Sequence, residues 1–516
     1  MIDGSGAEAG FYVVRDTTQL GPLVPIELTY DLSPSTFDAQ NTFYPANIAA
    51  LGKLPVVIVS HGNGHNYQWY DHIGRHLASY GYVVMSHENN TGPGSDAASI
   101  TTLTNAEKLF ANQATIGGGV LNGHLDGDHI VFVGHSRGGE GVVRAYTRLV
   151  NDEFTTPFFD QDDIRLVVSI SPVTHIDSSL SDPGTVNYAL MYGAADADVT
   201  GTPSLSASKP FAFYERAEGD KSVFYIQGVG HAYFHNGGGS CVCTGPAILP
   251  QAEVHDYELG YLLALVKRYV DGNVPARDFL ERMEGDLRPL GVVGSAIASK
   301  EYREGLSAGN FVIDDFQTNL GLALSSSGGA VSGNVQSPAE DLMRDQDDSF
   351  VYSTAVTHNG MTRYDDSGDT GRCAVFEWTS PGSYFYEFAL VPAASDLSDD
   401  TWLSLRACQG TRHPATDLLD GPLSFTVTLR DAHGTTSSIL TSLYGDVTRT
   451  YERTGSGIGA GWANEFSTLR LRLSDFAADG SGLDLSAVAA VRLEFGAGFG
   501  SVRGRLGLDD LEIVRD

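Results

Sequence analysis

A glycine-rich segment between an apolar run and a helical pattern constrains the fold of this chain more than any other stretch. Residues 129–133 (His-Ile-Val-Phe-Val) are typical of a buried strand, and residues 134–139 read Gly-His-Ser-Arg-Gly-Gly. Small residues on both sides of Ser136 permit a sharp, strained turn. Apolar residues at helical spacing follow at once, namely Val142, Val143, Tyr146, Leu149 and Val150. The sequence therefore predicts a strand, a tight turn carrying Ser136 and a helix.

Further apolar runs on both sides of this unit are typical of strands in a parallel sheet covered on both faces. The two antiparallel segments expected at the start are residues 11–14 and 24–30, and the buried runs are 54–60, 81–86, 164–171, 188–193 and 221–227. Helical patterns occur within residues 106–121 and over 254–270. Because strands and helices alternate, we expect an α/β fold with a doubly wound, mostly parallel sheet.

Acidic and basic side chains follow the later strands in an order that suits nucleophilic catalysis. Asp196 lies three residues beyond the end of one strand, with Asp198 as the alternative, and His231 follows the last strand, with His235 as its rival. A carboxylate can orient an imidazole, which can then take the proton of a serine hydroxyl. We therefore predict Ser136 as nucleophile, His231 as base and Asp196 as acid, in the chain order Ser, Asp, His.

A second glycine-rich loop, His-Gly-Asn-Gly at residues 61–64, follows the strand at 54–60. In this position a backbone N–H can stabilise the oxyanion that forms when a hydroxyl attacks a carbonyl carbon. We expect the two donors to be the main-chain amides of Asn63 and Arg137. The aromatic and histidine side chains of residues 65–72 are close enough to line a cleft, but packing against the sheet is the more typical role.

Four motifs resemble the bacterial α/β-hydrolases related to dienelactone hydrolase, chlorophyllase-like esterases, platelet-activating-factor acetylhydrolase and cutinase-type polyesterases. They are Ser60-His61-Gly62, Gly134-His135-Ser136-Arg137-Gly138-Gly139, Tyr192-Gly193-Ala194-Ala195-Asp196 and Gly230-His231. The resemblance covers residues 11–290 and implies an α/β-hydrolase with a serine esterase mechanism. Cutinase-type enzymes usually carry Met after the nucleophile, an aromatic residue in the oxyanion loop and often Trp after the strand that follows the elbow helix. Here those places hold Arg137, Asn63 and the Ser-Pro-Val of residues 171–173.

These features predict a serine carboxylic-ester hydrolase that needs no cofactor and acts on small or bulky esters. Residues 172–187 leave little room for the helical lid of many lipases, so we expect an active site open to solvent. One alternative is a polyester depolymerase resembling cutinase or polyethylene terephthalate hydrolase. Another is a polysaccharide-binding protein whose hydrolase domain is inactive. Amide cleavage would use the same triad.

At 516 residues the chain exceeds what one hydrophobic core usually supports. We predict a catalytic domain over residues 1–294, a linker over 295–310 and a β-sandwich over 311–516. Apolar and polar residues alternate in the third region, for example over 425–429, 469–473 and 491–495. Its ends, 311–316 and 506–513, resemble the outer strands of jelly-roll domains of the carbohydrate-binding-module or galactose-binding type.

That resemblance implies an anchor for a polysaccharide or polymer surface, and a structural calcium. The acidic residues 365–369 have oxygen ligands suited to Ca²⁺. Trp378 and Trp402 could stack on sugars, although core packing is the more typical role of a tryptophan.

Charge and cysteine content narrow the partners and the compartment. A formal net charge of −32 repels phosphate backbones, so we expect no nucleic-acid partner, and no apolar run is long enough to span a bilayer. The cysteines form two pairs in sequence, Cys241 with Cys243 and Cys373 with Cys408, which fits a secreted protein with disulfides whose signal peptide is absent from this sequence. Two neighbouring cysteines do not make a zinc site, and we assign no metal-binding residues. His255 falls in a helical segment, where we expect a surface or capping role.

Overall fold

The computed structural model describes two compact units, one up to about Ala296 and one from Ile297 onwards. The predicted strand at 11–14 and the acidic segment 365–369 lie outside the described residues. The described residues are 23–29, 39–200, 209–283, 288–289, 292, 296–305, 309–317, 321–342, 372–379, 381–410, 413–451 and 466–515.

The first unit contains a mixed sheet of eight strands in the order β1-β2-β4-β3-β5-β6-β7-β8. The strands are β1 Leu23–Thr29, β2 Ala39–Pro45, β3 Leu54–Ser60, β4 Val83–His87, β5 Leu125–His135, β6 Ile164–Ile170, β7 Tyr188–Gly193 and β8 Lys221–Ile226. Strands β3 to β8 pair in parallel. Strands β1 and β2 pair antiparallel at one edge. The predicted mostly parallel sheet is confirmed.

Helices lie between most of the consecutive parallel strands, the exception being β6 and β7. They are α1 Asp71–Ala78, α2 Ser95–Ala111, α3 Arg137–Val150, α4 Phe211–Arg216, α5 Gln251–Tyr269 and α6 Val274–Glu281. Helix α2 begins and ends earlier than the pattern over residues 106–121 indicated. Gly117, Gly118 and Gly119 all have positive φ, which ends regular right-handed helix before β5. Residues 171–187, between β6 and β7, hold turns and no helix, as predicted.

The centre of this sheet is fully apolar and buried. The side chains of residues 56–59 in β3 and 130–133 in β5 are at most 1% exposed. Burying a Val or Ile side chain of this kind stabilises the fold by about 1.5–3 kcal/mol. Strands buried on both faces bring their carboxyl ends, and the loops that follow them, to a single edge of the sheet.

The second unit consists of two antiparallel sheets. One has the order β12-β13-β20-β15-β18, with β10 also paired to β20, and the other has the order β11-β14-β19-β16-β17. The strands of this unit are β9 Ala298–Arg303, β10 Phe311–Asp314, β11 Val331–Gly333, β12 Gln336–Leu342, β13 Arg372–Thr379, β14 Tyr384–Ala389, β15 Trp402–Gln409, β16 Thr426–Asp431, β17 Thr436–Leu440, β18 Ser467–Arg472, β19 Val488–Phe495 and β20 Arg503–Val514. Two short helices accompany them, α7 Pro414–Leu419 and α8 Leu473–Ala478.

Aromatic side chains join the two sheets. The Phe376 ring of β13 lies 5.1 Å from the ring of Tyr386 and 5.2 Å from the ring of Phe495, which belong to the other sheet. Trp378 is fully buried against Phe495, and Trp402 is only 5% exposed. The all-β prediction is confirmed for this unit. Neither tryptophan offers a surface on which a sugar could stack.

The expected disulfide between Cys373 and Cys408 is wrong, because both residues are free buried thiols. They share a small apolar cluster with Val375 and Phe466. Cys373 lies on β13 and Cys408 on β15, and β20 lies between these two strands. Two inter-strand spacings put their Cα atoms at least about 9.5 Å apart, which is beyond the reach of a disulfide.

Candidate active site

Ser136 occupies the turn between β5 and α3 in a conformation that few non-glycine residues adopt. Its φ is 57°, and its backbone N–H donates to the Ile170 carbonyl of the neighbouring strand at 2.9 Å. A Cβ at Gly138 would lie 2.6 Å from the His61 carbonyl oxygen, so a side chain does not fit there. The glycine requirement of the motif therefore follows from the close approach of the helix to the loop after β3.

The loop after β3 lies directly against the predicted nucleophile. A Cβ at Gly62 would be 2.9 Å from Ser136 Cβ, and the next residue, Asn63, approaches Arg137 through its side chain. Arg137 is the first residue of α3, where backbone N–H groups have no partner within the helix. The structure thus brings Asn63 and Arg137, whose backbone amides are the predicted oxyanion donors, close to each other beside Ser136.

The side chain of Arg137 connects three segments, a role that the sequence did not reveal. Its guanidinium Nη1 donates to the carbonyls of Thr91 at 2.7 Å and Gly92 at 3.3 Å, and to Asn63 Oδ1 at 3.3 Å. The available signal was an arginine directly after the nucleophile, since a guanidinium group can donate to several acceptors. Through these bonds Arg137 links α3 to the loop of Asn63, which is the predicted oxyanion loop, and to the loop of Thr91.

Replacing Arg137 with methionine is expected to lower kcat for ester hydrolysis by about tenfold, because a displaced oxyanion donor loses part of the 10²–10³-fold that such a donor contributes. KM should change little, because the donors act chiefly on the transition state. Steady-state kinetics on a soluble ester would measure both constants. The matched control is Arg165→Met, whose guanidinium binds the Asp128 carbonyl away from the elbow. Unchanged kcat in Arg137→Met would show that Asn63 holds its place without this contact.

Asp196 and His231 form a buried pair. His231 Nδ1 lies 2.8 Å from Asp196 Oδ2. The His231 side chain is 4% exposed and the Asp196 side chain is 0% exposed. Asp196 Oδ1 accepts hydrogen bonds from the backbone amides of Asp198 at 2.9 Å and Val199 at 2.8 Å. One carboxylate oxygen is therefore held by its own loop, and the other orients the imidazole.

Asp198 contacts the opposite side of the same imidazole. Its Oδ2 is 3.5 Å from His231 Nε2, and its side chain is 63% exposed. Burial lowers the pKa of His231, but the charge of Asp196, the hydrogen bond that His231 donates to Asp196 and the charge of Asp198 together raise it above its ordinary value. The site therefore favours the imidazolium form that a base acquires when it takes a proton.

One backbone segment binds the acid loop and the base loop together. The Val242 carbonyl accepts from the amides of His231 at 3.2 Å and Ala197 at 3.1 Å, and the Cys241 carbonyl accepts from Ala232. Cys241 and Cys243 form a disulfide around Val242. The sequence indicated the pairing of the two cysteines but not these backbone contacts, because they join segments that are distant along the chain.

Three further histidines line the same region but lack the environment of a general base. The His135 ring is 4.8 Å from the His231 ring, and its Nδ1 lies 2.8 Å from the Tyr70 hydroxyl, which also contacts His65. Burial lowers the pKa of His65 to about 2 and that of His235 to about 4. His235, the rival base, accepts a hydrogen bond from the Gly237 amide and packs against Trp69. It would accept a serine proton only weakly.

No lid helix lies between β6 and β7, but this alone does not establish the predicted open active site. Ser136 is 5% exposed and His231 is 3% exposed, so both side chains lie below the surface. In the part of the chain that the structure describes, His231 Nε2 has no hydrogen-bond partner and contacts only Asp198 Oδ2 as an ion pair, at 3.5 Å.

A comparison with family models finds a match to the family described as PETase, PET hydrolase-like. The match covers residues 21–284, slightly more than half of the 516 residues, and ends before the strands of the second unit. No curated protein matches the chain. Among the described residues, no helix is long and apolar enough to cross a membrane.

Proposed function

Because the chain belongs to the PET hydrolase-like family, a group of α/β-hydrolases, we propose that it is a serine ester hydrolase acting on polyesters. The observation that carries the mechanism is the buried Asp196–His231 hydrogen bond, which lies in loops at the same sheet edge as the strained Ser136 turn. A nucleophile, a base and an orienting acid at one sheet edge are the requirements of acyl transfer.

In the proposed reaction, the Ser136 hydroxyl oxygen attacks the ester carbonyl carbon while His231 Nε2 accepts the hydroxyl proton. The backbone amides of Asn63 and Arg137 bind the oxyanion that results. His231 then donates the proton to the departing alcohol, which leaves an acyl group on Ser136. Water attacks this acyl-enzyme with His231 again as base, and the carboxylic acid is released. No cofactor takes part in this scheme.

A second candidate substrate class is small soluble esters. Arg137 and the Ser-Pro-Val of residues 171–173 differ from the residues that cutinase-type enzymes usually carry beside the nucleophile. The Arg137 side chain also bridges the oxyanion loop to the Thr91 carbonyl, so the entrance is more polar than one lined by methionine. Both classes use the same chemistry and differ in what the cleft admits.

Parallel assays on p-nitrophenyl butyrate and on a polyester film test the proposal. We expect hydrolysis of the soluble ester and time-dependent release of acid products from the film, measured by chromatography, with a Ser136→Ala protein as the blank. Release from the film at the blank level, together with rapid cleavage of the soluble ester, would establish the small-ester alternative. Absence of both activities in the folded protein would overturn the proposal.

We also propose that the protein is secreted. A solid polymer cannot enter a cell, and the Cys241–Cys243 disulfide would persist only in an oxidising compartment. The anchoring of a polysaccharide or polymer surface by the second unit stays a prediction. The buried Trp378 and Trp402 do not contribute to it. The predicted calcium ligands at residues 365–369 lie outside the described residues.

A further inference from the structure

Helices α1 and α5 bring together two imidazoles and a carboxylate that the proposed hydrolysis does not use. His72 Nε2 lies 2.8 Å from Glu258 Oε2, and the rings of His72 and His255 stack with centroids 4.2 Å apart. His255 and Glu258 are three residues apart, so they lie on the same face of α5. One nitrogen of each imidazole and one carboxylate oxygen lie within 4.8 Å of one another.

These side chains are largely buried, yet some of their polar atoms have no hydrogen-bond partner among the described residues. The Glu258 side chain is fully buried and that of His72 is 10% exposed. Within the described part of the chain, Glu258 Oε1 and His255 Nε2 are buried without a hydrogen-bond partner. Leaving such groups unsatisfied costs about 1–3 kcal/mol each. A cation between the three side chains would remove this cost.

We propose that His72, His255 and Glu258 bind a divalent transition metal, with Zn²⁺ as the preferred ion. Two imidazoles and one carboxylate are a ligand set that Zn²⁺ accepts, and water would complete a tetrahedron. Such a site places ligand atoms about 3.3 Å apart for bonds of about 2.0–2.1 Å. The His72–Glu258 pair must widen slightly and His255 must approach, which side-chain rotations can provide.

The position of the cluster indicates a structural role. Helix α1 follows the oxyanion loop, and α5 follows the loop that carries His231. A metal here would join the helix after one catalytic loop to the helix after the other.

Metal content and stability of the full-length protein test this inference. After chelator treatment and dialysis, titration with Zn²⁺ alone should show one tight site per chain by calorimetry. Co²⁺ should give the visible bands of a tetrahedral complex. Zn²⁺ at 100 times its Kd should raise Tm by about 5 °C or more. Elemental analysis of the unstripped protein would measure occupancy independently.

Two variants and one control separate this site from adventitious binding to an acidic surface. Glu258→Gln keeps the shape of the side chain but removes the anionic ligand, and His255→Ala removes one imidazole. Both should lose the tight site, the Co²⁺ bands and the Tm shift. The control is His124→Ala, because His124 contacts the Gly52 carbonyl away from this cluster. This variant should keep the tight site, the Co²⁺ bands and the Tm shift. Equal Zn²⁺ binding by wild type and a folded Glu258→Gln, or no tight site in wild type, would overturn the proposal.

Discussion

Replacing Ser136 with alanine is expected to lower kcat for ester hydrolysis by about 10⁴-fold or more, because the substitution removes the attacking oxygen. The alanine methyl group fits the space of the serine side chain, and it meets the same positive φ, which Ser136 already adopts at 57°. Binding of substrate and the fold should therefore be retained. Initial rates with p-nitrophenyl butyrate would measure the loss, and a fluorophosphonate probe should label the wild type but not the variant.

The control for this experiment is Ser179→Ala. Ser179 is exposed and its hydroxyl donates to Asp177 Oδ1 at 2.7 Å, so its removal should leave the rate unchanged. If Ser136→Ala kept the hydrolysis rate and the probe labelling of the wild type, another residue would be the nucleophile. The position of Ser136 at the turn would then be structural only.

Replacing Asp196 with asparagine is expected to lower kcat by about 10³–10⁴-fold, as removal of the orienting carboxylate does in serine proteases. The introduced amide would keep the size of the side chain but could present an N–H to His231 Nδ1, which favours the wrong tautomer. The loss should be present across the pH range, because orientation as well as charge is removed. Steady-state rates measured on both sides of neutral pH would quantify it.

Asp198→Asn is the matched comparison, since it removes a carboxylate from the same imidazole without removing the Nδ1 hydrogen bond. We expect less than about a tenfold change in kcat at mildly alkaline pH, because the Asp198 carboxylate is exposed and screened by water. His231 must be neutral to act as base, and its raised pKa places the acidic limb of kcat/KM above pH 6.5 in wild type. Removing the Asp198 charge lowers that pKa, so the acidic limb should move to lower pH. Equal losses in the two variants would contradict the assignment of Asp196.

The strands and the elbow were predictable because their signals are local. Periodicity over a few residues identified β3, β6 and β7 to within one residue, and the glycines around Ser136 marked the turn. The order of the chain also placed His231 and an acidic loop after their strands. Parallel strands bring such loops to one edge whatever the rest of the sequence, so their proximity required no further information.

What each side chain contacts was decided by the tertiary structure. The sequence allowed Asp196 or Asp198 as the acid, and only the fold shows which carboxylate meets His231 Nδ1. It suggested a disulfide between Cys373 and Cys408, whereas an intervening strand separates them. Strand periodicity specifies which face a residue occupies but not the lateral order of strands within a sheet.

The sequence by itself determined that this chain forms a parallel α/β sheet with Ser136 at a strained turn, because backbone sterics and hydrophobic periodicity act over neighbouring residues. The tertiary structure alone decided the link from Arg137 to the Thr91 loop. The tertiary structure also placed the His72 imidazole beside the Glu258 carboxylate, although 186 positions separate the two residues in the sequence. Contacts of this kind depend on how helices and loops pack, and packing is a property of the whole core rather than of any one segment.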